Sequence, residues 1–193
     1  MKIMKKLFVL FTALYLVACT SLSYSPVYTN YEQTSTTLFY KHICIDNSFD
    51  KEDYDGIVSA IQEWNRAFNG VALLVVSSSC EWSIVKQVGD NTTNGVEITY
   101  ESNAKYESVL AYAQIGGNTI TVVRHHISSQ YKLHRAIVHE LGHLLGASHT
   151  PHGIMRVEMH AKDFMCIDES ALSQIAKYRN FSCSHCNYCI QEP

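Results

Sequence analysis

The segment from Leu133 to His149 constrains the fold of this chain more than any other part of the sequence. Its apolar residues recur at helical spacing and predict a buried helix face made of Leu133, Ile137, Leu141 and Leu144. His139 and His143 are four residues apart, so about 400° of helical rotation places their imidazoles one turn apart on another face. The segment therefore predicts a helix with one core face and one face that carries two histidines.

Three further residues extend this pair to the pattern His-Glu-x-x-His-x-x-Gly-x-x-His, namely Glu140, Gly146 and His149. With average residue usage, such a pattern has a chance of about 10⁻⁵ in a chain of this length. Neutral imidazole binds Zn²⁺ well, and a catalytic zinc keeps three protein ligands and an open position for water. A glycine at position 146 can adopt positive φ, end the helix and return His149 to the metal. We therefore expect one catalytic zinc held by His139, His143 and His149.

The same pattern indicates the chemistry of peptide hydrolysis. Zinc lowers the pKa of a bound water to about 7, and Glu140 is placed to take that proton and later pass it to a leaving amine. The metal also polarises the scissile carbonyl and stabilises the developing oxyanion. We expect a zinc metalloendopeptidase with Glu140 as general base and a protein or peptide as substrate.

The motif resembles that of the metzincin metallopeptidases, in which a methionine-containing turn follows the histidines. Gly153-Ile154-Met155 fits that turn, and the resemblance places Met155 beneath the zinc as an apolar floor. Val157 stands where the astacin and serralysin branches have a tyrosine, so the matrixin branch, with three histidines and water, is the nearer one. The resemblance covers about Leu38 to Tyr178. It implies an α+β, zincin-like fold with a mixed, twisted β-sheet, an active-site helix and a C-terminal helix.

Residues 1–18 are expected to be a signal peptide that is not part of the fold. A basic start precedes an apolar run from Leu7 to Val17, which is too short to span a bilayer. Leu16-Val17-Ala18-Cys19 resembles a bacterial lipobox, which implies cleavage before Cys19, acylation of its thiol and anchoring to a membrane of the cell envelope. Thr20 favours the outer membrane by the same resemblance. The alternative is a plain secretory signal with an incidental cysteine.

The chain that remains after the signal peptide is acidic. The leader contains three lysines and no acidic residue, so 12 of the 15 basic and all 18 acidic residues remain, a formal net charge of −6. This charge argues against a basic nucleic-acid-binding protein. Residues 19–37 are rich in Ser, Thr and Tyr and are expected to form a tether. Residues 38–193 are expected to form one catalytic domain, active as a monomer, and the sequence does not indicate whether it needs calcium.

Apolar patterns predict a strand, a helix and a strand at the start of this domain, an order that also resembles a metzincin catalytic domain. Leu38 to Ile45 and Val71 to Val76 predict the strands, Asp50 can cap the helix, and Asn69-Gly70 ends it. The helix carries apolar residues at helical spacing, namely Ile57, Ile61, Trp64 and Phe68. Weaker predictions are strands from Trp82 to Lys86 and from Gly95 to Tyr100 and a turn at Gly89-Asp90-Asn91.

Two further strands, Ser108 to Gln114 and Thr119 to Arg124, are predicted on either side of a glycine turn at Gly116-Gly117-Asn118. In the family that the motif resembles, the first of these strands lies at the sheet edge above the zinc and pairs with extended substrate. Here that strand comprises Val109, Leu110, Ala111, Tyr112 and Ala113. The alternative is an ordinary hairpin without this role.

Four other histidines are expected not to bind the metal, because three ligands are already assigned: His125, His126, His152 and His160. His125 and His126 are expected to end a strand at the surface. Arg156 to Phe164 is expected to form part of the cleft wall, and Asp168 to cap a last helix that runs to about Tyr178.

Six cysteines remain besides Cys19, an even number that indicates disulfides in an oxidising compartment. Cys44 lies in the first strand and Cys80 just after the second. These strands are neighbours in a metzincin-like sheet, so we expect the two cysteines to pair. The tail contains Cys183, Cys186 and Cys189. We expect one disulfide between Cys166 and a tail cysteine, which ties the tail to the last helix, and one disulfide within the tail. The alternative is a second, structural zinc held by these four cysteines, as in archaemetzincins, although Thr150 stands where their pattern has a cysteine.

Two other functions compete with peptide hydrolysis. One is a binding lipoprotein that keeps a metal for structure or captures peptides without cleaving them, and the other is an enzyme of a different hydrolytic type on the same fold. Glu140 argues against the first, because a structural zinc needs no base and more often has four Cys or His ligands.

Overall fold

Five strands and three α-helices form the part of the chain that this computed structural model describes, residues 37–87, 109–157 and 166–189. In chain order they are β1 (Phe39–Ile45), α1 (Lys51–Phe68), β2 (Ala72–Val76), β3 (Trp82–Lys86), β4 (Ala111–Ala113), β5 (Thr119–Val122), α2 (Gln130–Leu145) and α3 (Glu169–Arg179). A short 3₁₀ helix, Arg124–His126, precedes α2.

The strands form one mixed sheet in the order β2-β1-β3-β5-β4. β1 pairs in parallel with β2 and β3, β5 is parallel to β3, and β4 is antiparallel to β5. α1 connects β1 to β2 and packs against α2 and β2. The predicted α+β class is therefore confirmed, with a mixed sheet, a helix that carries the histidines and a C-terminal helix.

The first helix has the predicted caps and the predicted buried face. The Asp50 carboxylate accepts the Asp53 N–H at 2.9 Å, and Asn69 ends the helix in the left-handed conformation, at φ +50°. The four apolar residues of its sequence pattern are all buried. Among them, Trp64 donates from Nε1 to the Val138 carbonyl at 2.9 Å, and this bond fixes α1 against α2.

Two strand predictions were wrong in detail. Val71 to Val76 was expected to be a buried strand, but β2 lies at one edge of the sheet and Leu73 is exposed. The strand expected from Ser108 to Gln114 is only Ala111–Ala113 in the structure, so Val109 and Leu110 precede it. These two residues remain attached to the next segment, because the Leu110 carbonyl accepts the Val123 N–H at 2.9 Å.

The strand expected from Thr119 to Arg124 also ends early. Val122 is the last paired residue of β5 on both sides, opposite Lys86 in β3 and Ala111 in β4. Without strand partners beyond this point, the chain turns into the 3₁₀ helix. His125 and His126 therefore lie in that helix and not at a strand end.

All six cysteines of the described part of the chain form disulfides: Cys44–Cys80, Cys166–Cys189 and Cys183–Cys186. These pairings are the expected ones, with one bond between Cys166 and the tail and one within the tail. The structure thus favours disulfides over four thiolates on a second zinc. The tail also covers the end of α1, since Asn187 donates to the carbonyls of Ala67, at 2.7 Å, and Arg66, at 3.1 Å.

Several predictions lie outside the described residues. They are the signal peptide, Cys19 and nearly all of the tether, the turn at 89–91, the strand at 95–100, His160 and most of the cleft wall at 156–164. Within the described part, none of the helices combines the length and the apolar character that a bilayer span requires.

Candidate metal centre

Helix α2 begins after Ser129 and ends at Gly146, the glycine of the sequence motif. The Ser129 hydroxyl accepts the Lys132 N–H at 3.3 Å and caps the first turn. At the other end Gly146 has φ +111°, and its N–H donates to the carbonyls of Gly142, at 3.1 Å, and His143, at 3.0 Å. A side chain at Gly146 would also collide with the Tyr178 ring. Glycine at this position therefore lets the helix end and the chain return.

Backbone carbonyls orient two of the three histidines of the motif. Nδ1 of His139 lies 2.7 Å from the Ile154 oxygen, and Nδ1 of His143 lies 2.9 Å from the Ala147 oxygen. Because a carbonyl oxygen can only accept, each Nδ1 carries the proton, and each Nε2 is left with a free lone pair. This arrangement fixes the tautomer that a metal ligand requires.

The ligand nitrogens of the three histidines lie within 4.8 Å of one another. Nε2 of His143 lies 3.1 Å from that of His139 and 3.2 Å from that of His149. Nitrogens bound to one tetrahedral zinc at 2.0–2.1 Å are about 3.3 Å apart, so these separations fit a shared ion. The lone pairs of His139 and His143 face each other without a proton between them, which a cation would stabilise. The three residues form a cluster that could hold a metal ion.

Burial keeps these imidazoles in the form that binds metals. Desolvation lowers the pKa of His139 to about 4, although its hydrogen bond to Ile154 opposes this shift. Desolvation also lowers the pKa of His143 and of His149. Neutral imidazole is the ligand form, so the three histidines are ready to bind a cation at neutral pH.

Glu140 is a buried carboxyl group between α2 and the edge strand β4. Its side chain is 7% exposed, and desolvation raises its pKa to about 8, although a hydrogen bond from the Ala113 N–H opposes the shift. A cation at the adjacent histidines would favour the ionised form and lower this pKa. The charge of this carboxyl group therefore depends on whether a cation is bound beside it.

Met155 packs against the helix that carries the histidines. It is fully buried, and a side chain at Gly142, between the two helical histidines, would collide with its sulfur. The Met155 carbonyl accepts the Thr150 N–H at 2.9 Å, which closes the loop that begins at His149. The methionine is therefore a buried side chain packed against the helix between His139 and His143.

The β4–β5 hairpin is fixed directly to the cluster. The Gly116 N–H at its turn donates to the His143 carbonyl at 2.7 Å. β4 itself is paired only with β5, so among the described residues its other side has no strand partner. The hydrogen bond from Ala113 to Glu140 places this edge next to the candidate site.

Residues of α3 that the sequence reasoning missed hold the loop of His149. The Gln174 side chain accepts the Ser148 N–H at 2.9 Å, and Arg179 donates to the carbonyls of Leu144, at 2.5 Å, and Leu145, at 3.0 Å. The two Arg179 bonds satisfy carbonyls left free at the end of α2. No spacing rule relates α3 to the motif, so the sequence alone carries no signal for these contacts.

Of the other histidines considered as ligands, the described ones, His125, His126 and His152, are not part of the cluster. His125 and His152 are exposed, and His126 binds the Val109 carbonyl through Nδ1 at 2.8 Å.

A scan against protein-family models and a search of curated proteins found no match to this chain.

Proposed function

We propose that this chain is a zinc metalloendopeptidase of the metzincin type, nearest the matrixin branch. One observation carries the proposal: the Nε2 atoms of three histidines cluster beside a buried glutamate, with that of His143 3.1 and 3.2 Å from the other two and all three within 4.8 Å of one another. A structural metal site would have no use for that carboxyl group. The buried methionine below the helix and the free strand edge beside Glu140 further support the proposal.

The residues present fit a catalytic zinc, with His139, His143 and His149 as ligands. When bound, zinc supplies a Lewis acid that lowers the pKa of water and polarises the scissile carbonyl. In our proposal Glu140 accepts a proton from the attacking water at its carboxylate and then donates it to the leaving amine. Its burial keeps this proton from exchanging freely with solvent during the reaction.

The substrate binds, in this proposal, as an extra strand on the free edge of β4, along the segment Val109–Ala113. An exposed strand edge offers unpaired N–H and C=O groups to an extended peptide. Because Ala113 contacts Glu140, a peptide paired with this edge would have its backbone close to the carboxyl group. The same residues can thus form a strand of the hairpin and pair with substrate along the other edge of that strand.

For the location we propose a lipid anchor at Cys19, on the basis of the Leu16–Cys19 motif. Stable membrane binding needs more than one acyl chain, so the cysteine should carry several. Mass spectrometry of the mature N-terminus tests this, and an unmodified N-terminus at another residue would exclude it.

The experiment that tests the activity uses the protein produced without residues 1–19, zinc and a random peptide library. Wild-type protein should cleave peptides, and a chelator should stop the cleavage. Glu140→Gln should retain about one zinc per chain but lose activity, because it removes the base and no ligand. His143→Ala should lose both metal and activity.

The outcomes separate the proposal from its alternatives. Zinc and retained peptides without any cleavage would instead indicate a peptide-binding protein with a structural metal. A Glu140→Gln variant that keeps most of the wild-type rate would exclude the role given to Glu140.

A further inference from the structure

One side of β4 has no strand partner among the described residues, and we call it the open side. In an antiparallel pair, successive residues direct their backbone N–H and C=O groups alternately toward the partner strand and away from it. The Leu110 carbonyl accepts the Val123 N–H at 2.9 Å, so Leu110 and Tyr112 face β5. Ala111 and Ala113 therefore direct their N–H and C=O groups to the open side.

Two backbone groups on the open side already have partners, one at each end of the strand. Next to the candidate metal centre, the Ala113 N–H donates to the Glu140 carboxyl group. At the other end, the same alternation directs the Val109 carbonyl to the open side, and Nδ1 of His126 lies 2.8 Å from its oxygen. Because a carbonyl oxygen can only accept, Nδ1 carries the proton of this hydrogen bond. His126 thus occupies the carbonyl that would otherwise continue the edge.

The carbonyls of Ala111 and Ala113 are the acceptors that remain for a substrate on this stretch of the open side. They are two residues apart, about 7 Å along the strand. A peptide that pairs with them places two of its own N–H groups against them, also two residues apart, whether it runs parallel or antiparallel to β4. A third acceptor at the same spacing would be the Val109 carbonyl, which His126 occupies. The substrate edge therefore accepts two N–H groups and stops at Val109.

We propose that His126 is a specificity-determining residue that ends the substrate edge at Val109, so that the enzyme recognises a short extended stretch of peptide through two N–H groups. This inference rests on the proposed pairing of substrate with β4 and names the backbone groups that this pairing uses. Its consequence for the substrate class concerns proline, which has no N–H. Proline should be excluded from the two paired positions and accepted two residues farther from Glu140 along the edge, opposite Val109.

The test measures the binding of N-methylated peptides to the zinc-loaded Glu140→Gln protein. This variant should not cleave the peptides during the measurement, and its amide oxygen still accepts the Ala113 N–H. One peptide that the wild type cleaves well is made as a series in which each backbone N–H in turn is replaced by N–CH₃. Two members of the series, with their methyl groups two residues apart, should bind at least about fivefold more weakly than the parent peptide, because each loses one hydrogen bond. The other members should bind within about twofold of the parent.

Two variants of His126, each made in the Glu140→Gln protein, assign the limit of the edge to the imidazole. His126→Leu frees the Val109 carbonyl and should add a third sensitive position, two residues farther from the cleaved bond. His126→Asn should keep two, because its side-chain amide nitrogen is as many bonds from Cα as Nδ1 and can donate to the same carbonyl. A third sensitive position with His126 intact, or an unchanged pattern in His126→Leu, would overturn the inference.

Structural effects and the proposed function are tested separately. Each methylated peptide is compared with its parent on the same protein, so a general loss of affinity in His126→Leu does not change the pattern. If that variant does not fold, the pattern on the protein with His126 decides alone, since two positions support the inference and three overturn it. If the wild type cleaves no peptide, the proposed catalysis fails, and a peptide retained by Glu140→Gln still tests His126. The absence of any sensitive position would refute the pairing of substrate with β4 and this inference with it.

Discussion

Replacing Glu140 by glutamine should change how the stability of the metal-free protein depends on pH. Desolvation raises the pKa of this carboxyl group from 4.5 to about 8. Between these values the folded state keeps the proton and the unfolded state loses it. The unfolded state therefore binds fewer protons, and the free energy of unfolding falls as the pH rises through this window. Glutamine does not titrate, so the free energy of unfolding of the variant does not fall in this way as the pH rises.

The magnitude follows from the same pKa. One pH unit corresponds to about 1.4 kcal/mol for a fully differential proton, and the effect levels off near pH 8. Between pH 6 and pH 8 the wild type should lose about 2 kcal/mol relative to Glu140→Gln. His139 has the opposite effect, since its pKa of about 4 makes stability rise with pH up to about 6.5. This contribution is present in both proteins and cancels in their difference.

Urea denaturation of chelator-treated protein at pH 6, 7 and 8, with the disulfides intact, measures this difference. Saturating zinc should abolish it, because a neighbouring cation favours the ionised carboxylate in the folded state. A constant difference between wild type and variant from pH 6 to 8 would refute the assignment of Glu140 as a buried, neutral acid in the metal-free state.

Three further predictions concern residues outside the three histidines that stabilise the fold or hold the loop of His149. Gly146→Ala should lower the free energy of unfolding by about 2–4 kcal/mol and weaken zinc binding, because the position has φ +111° and a methyl group would collide with Tyr178. Urea titration measures the first effect and a zinc-binding assay the second. Gln174→Met should weaken zinc binding by about tenfold, whereas Gln174→Glu should not, because it keeps an acceptor for the Ser148 N–H. Competition with a chromogenic chelator measures both affinities. Equal zinc affinities of the two variants would exclude a role of Gln174 in holding the loop of His149. Replacing both Cys44 and Cys80 by serine should cost about 3–4 kcal/mol in urea, because their bond spans 36 residues; a cost below 1 kcal/mol would contradict the loop-entropy argument.

Local sequence patterns were sufficient to predict the elements that position the cluster. The caps at Asp50 and Asp168 and the buried faces of α1 and α2 depend on residues within one or two turns, so spacing alone identifies them. The three expected ligands also lie close together, because Gly146 ends α2 in a left-handed conformation and turns the chain back toward the helix. These features could be predicted because their causes are close in sequence.

The contacts that fix the cluster depend instead on distant parts of the chain. Gln174 reaches Ser148 from 26 residues away, and Arg179 reaches the last carbonyls of α2 from 34 and 35 residues away. The predicted length of β5 was wrong for the same reason, since the strand ends where its two partner strands end.

The organisation of the cluster leads to a last prediction, that removing the metal stops activity without unfolding the protein. In small zinc domains the binding energy of the metal drives folding, because no site exists before the metal binds. Here carbonyls of Ile154 and Ala147 already orient two imidazoles, and α3 holds the loop of the third. Chelator-treated protein should therefore keep its far-UV circular dichroism and a cooperative unfolding transition, and added zinc should restore cleavage within the time of mixing. Loss of the transition on chelation would show that the metal, and not the protein frame, organises the three histidines.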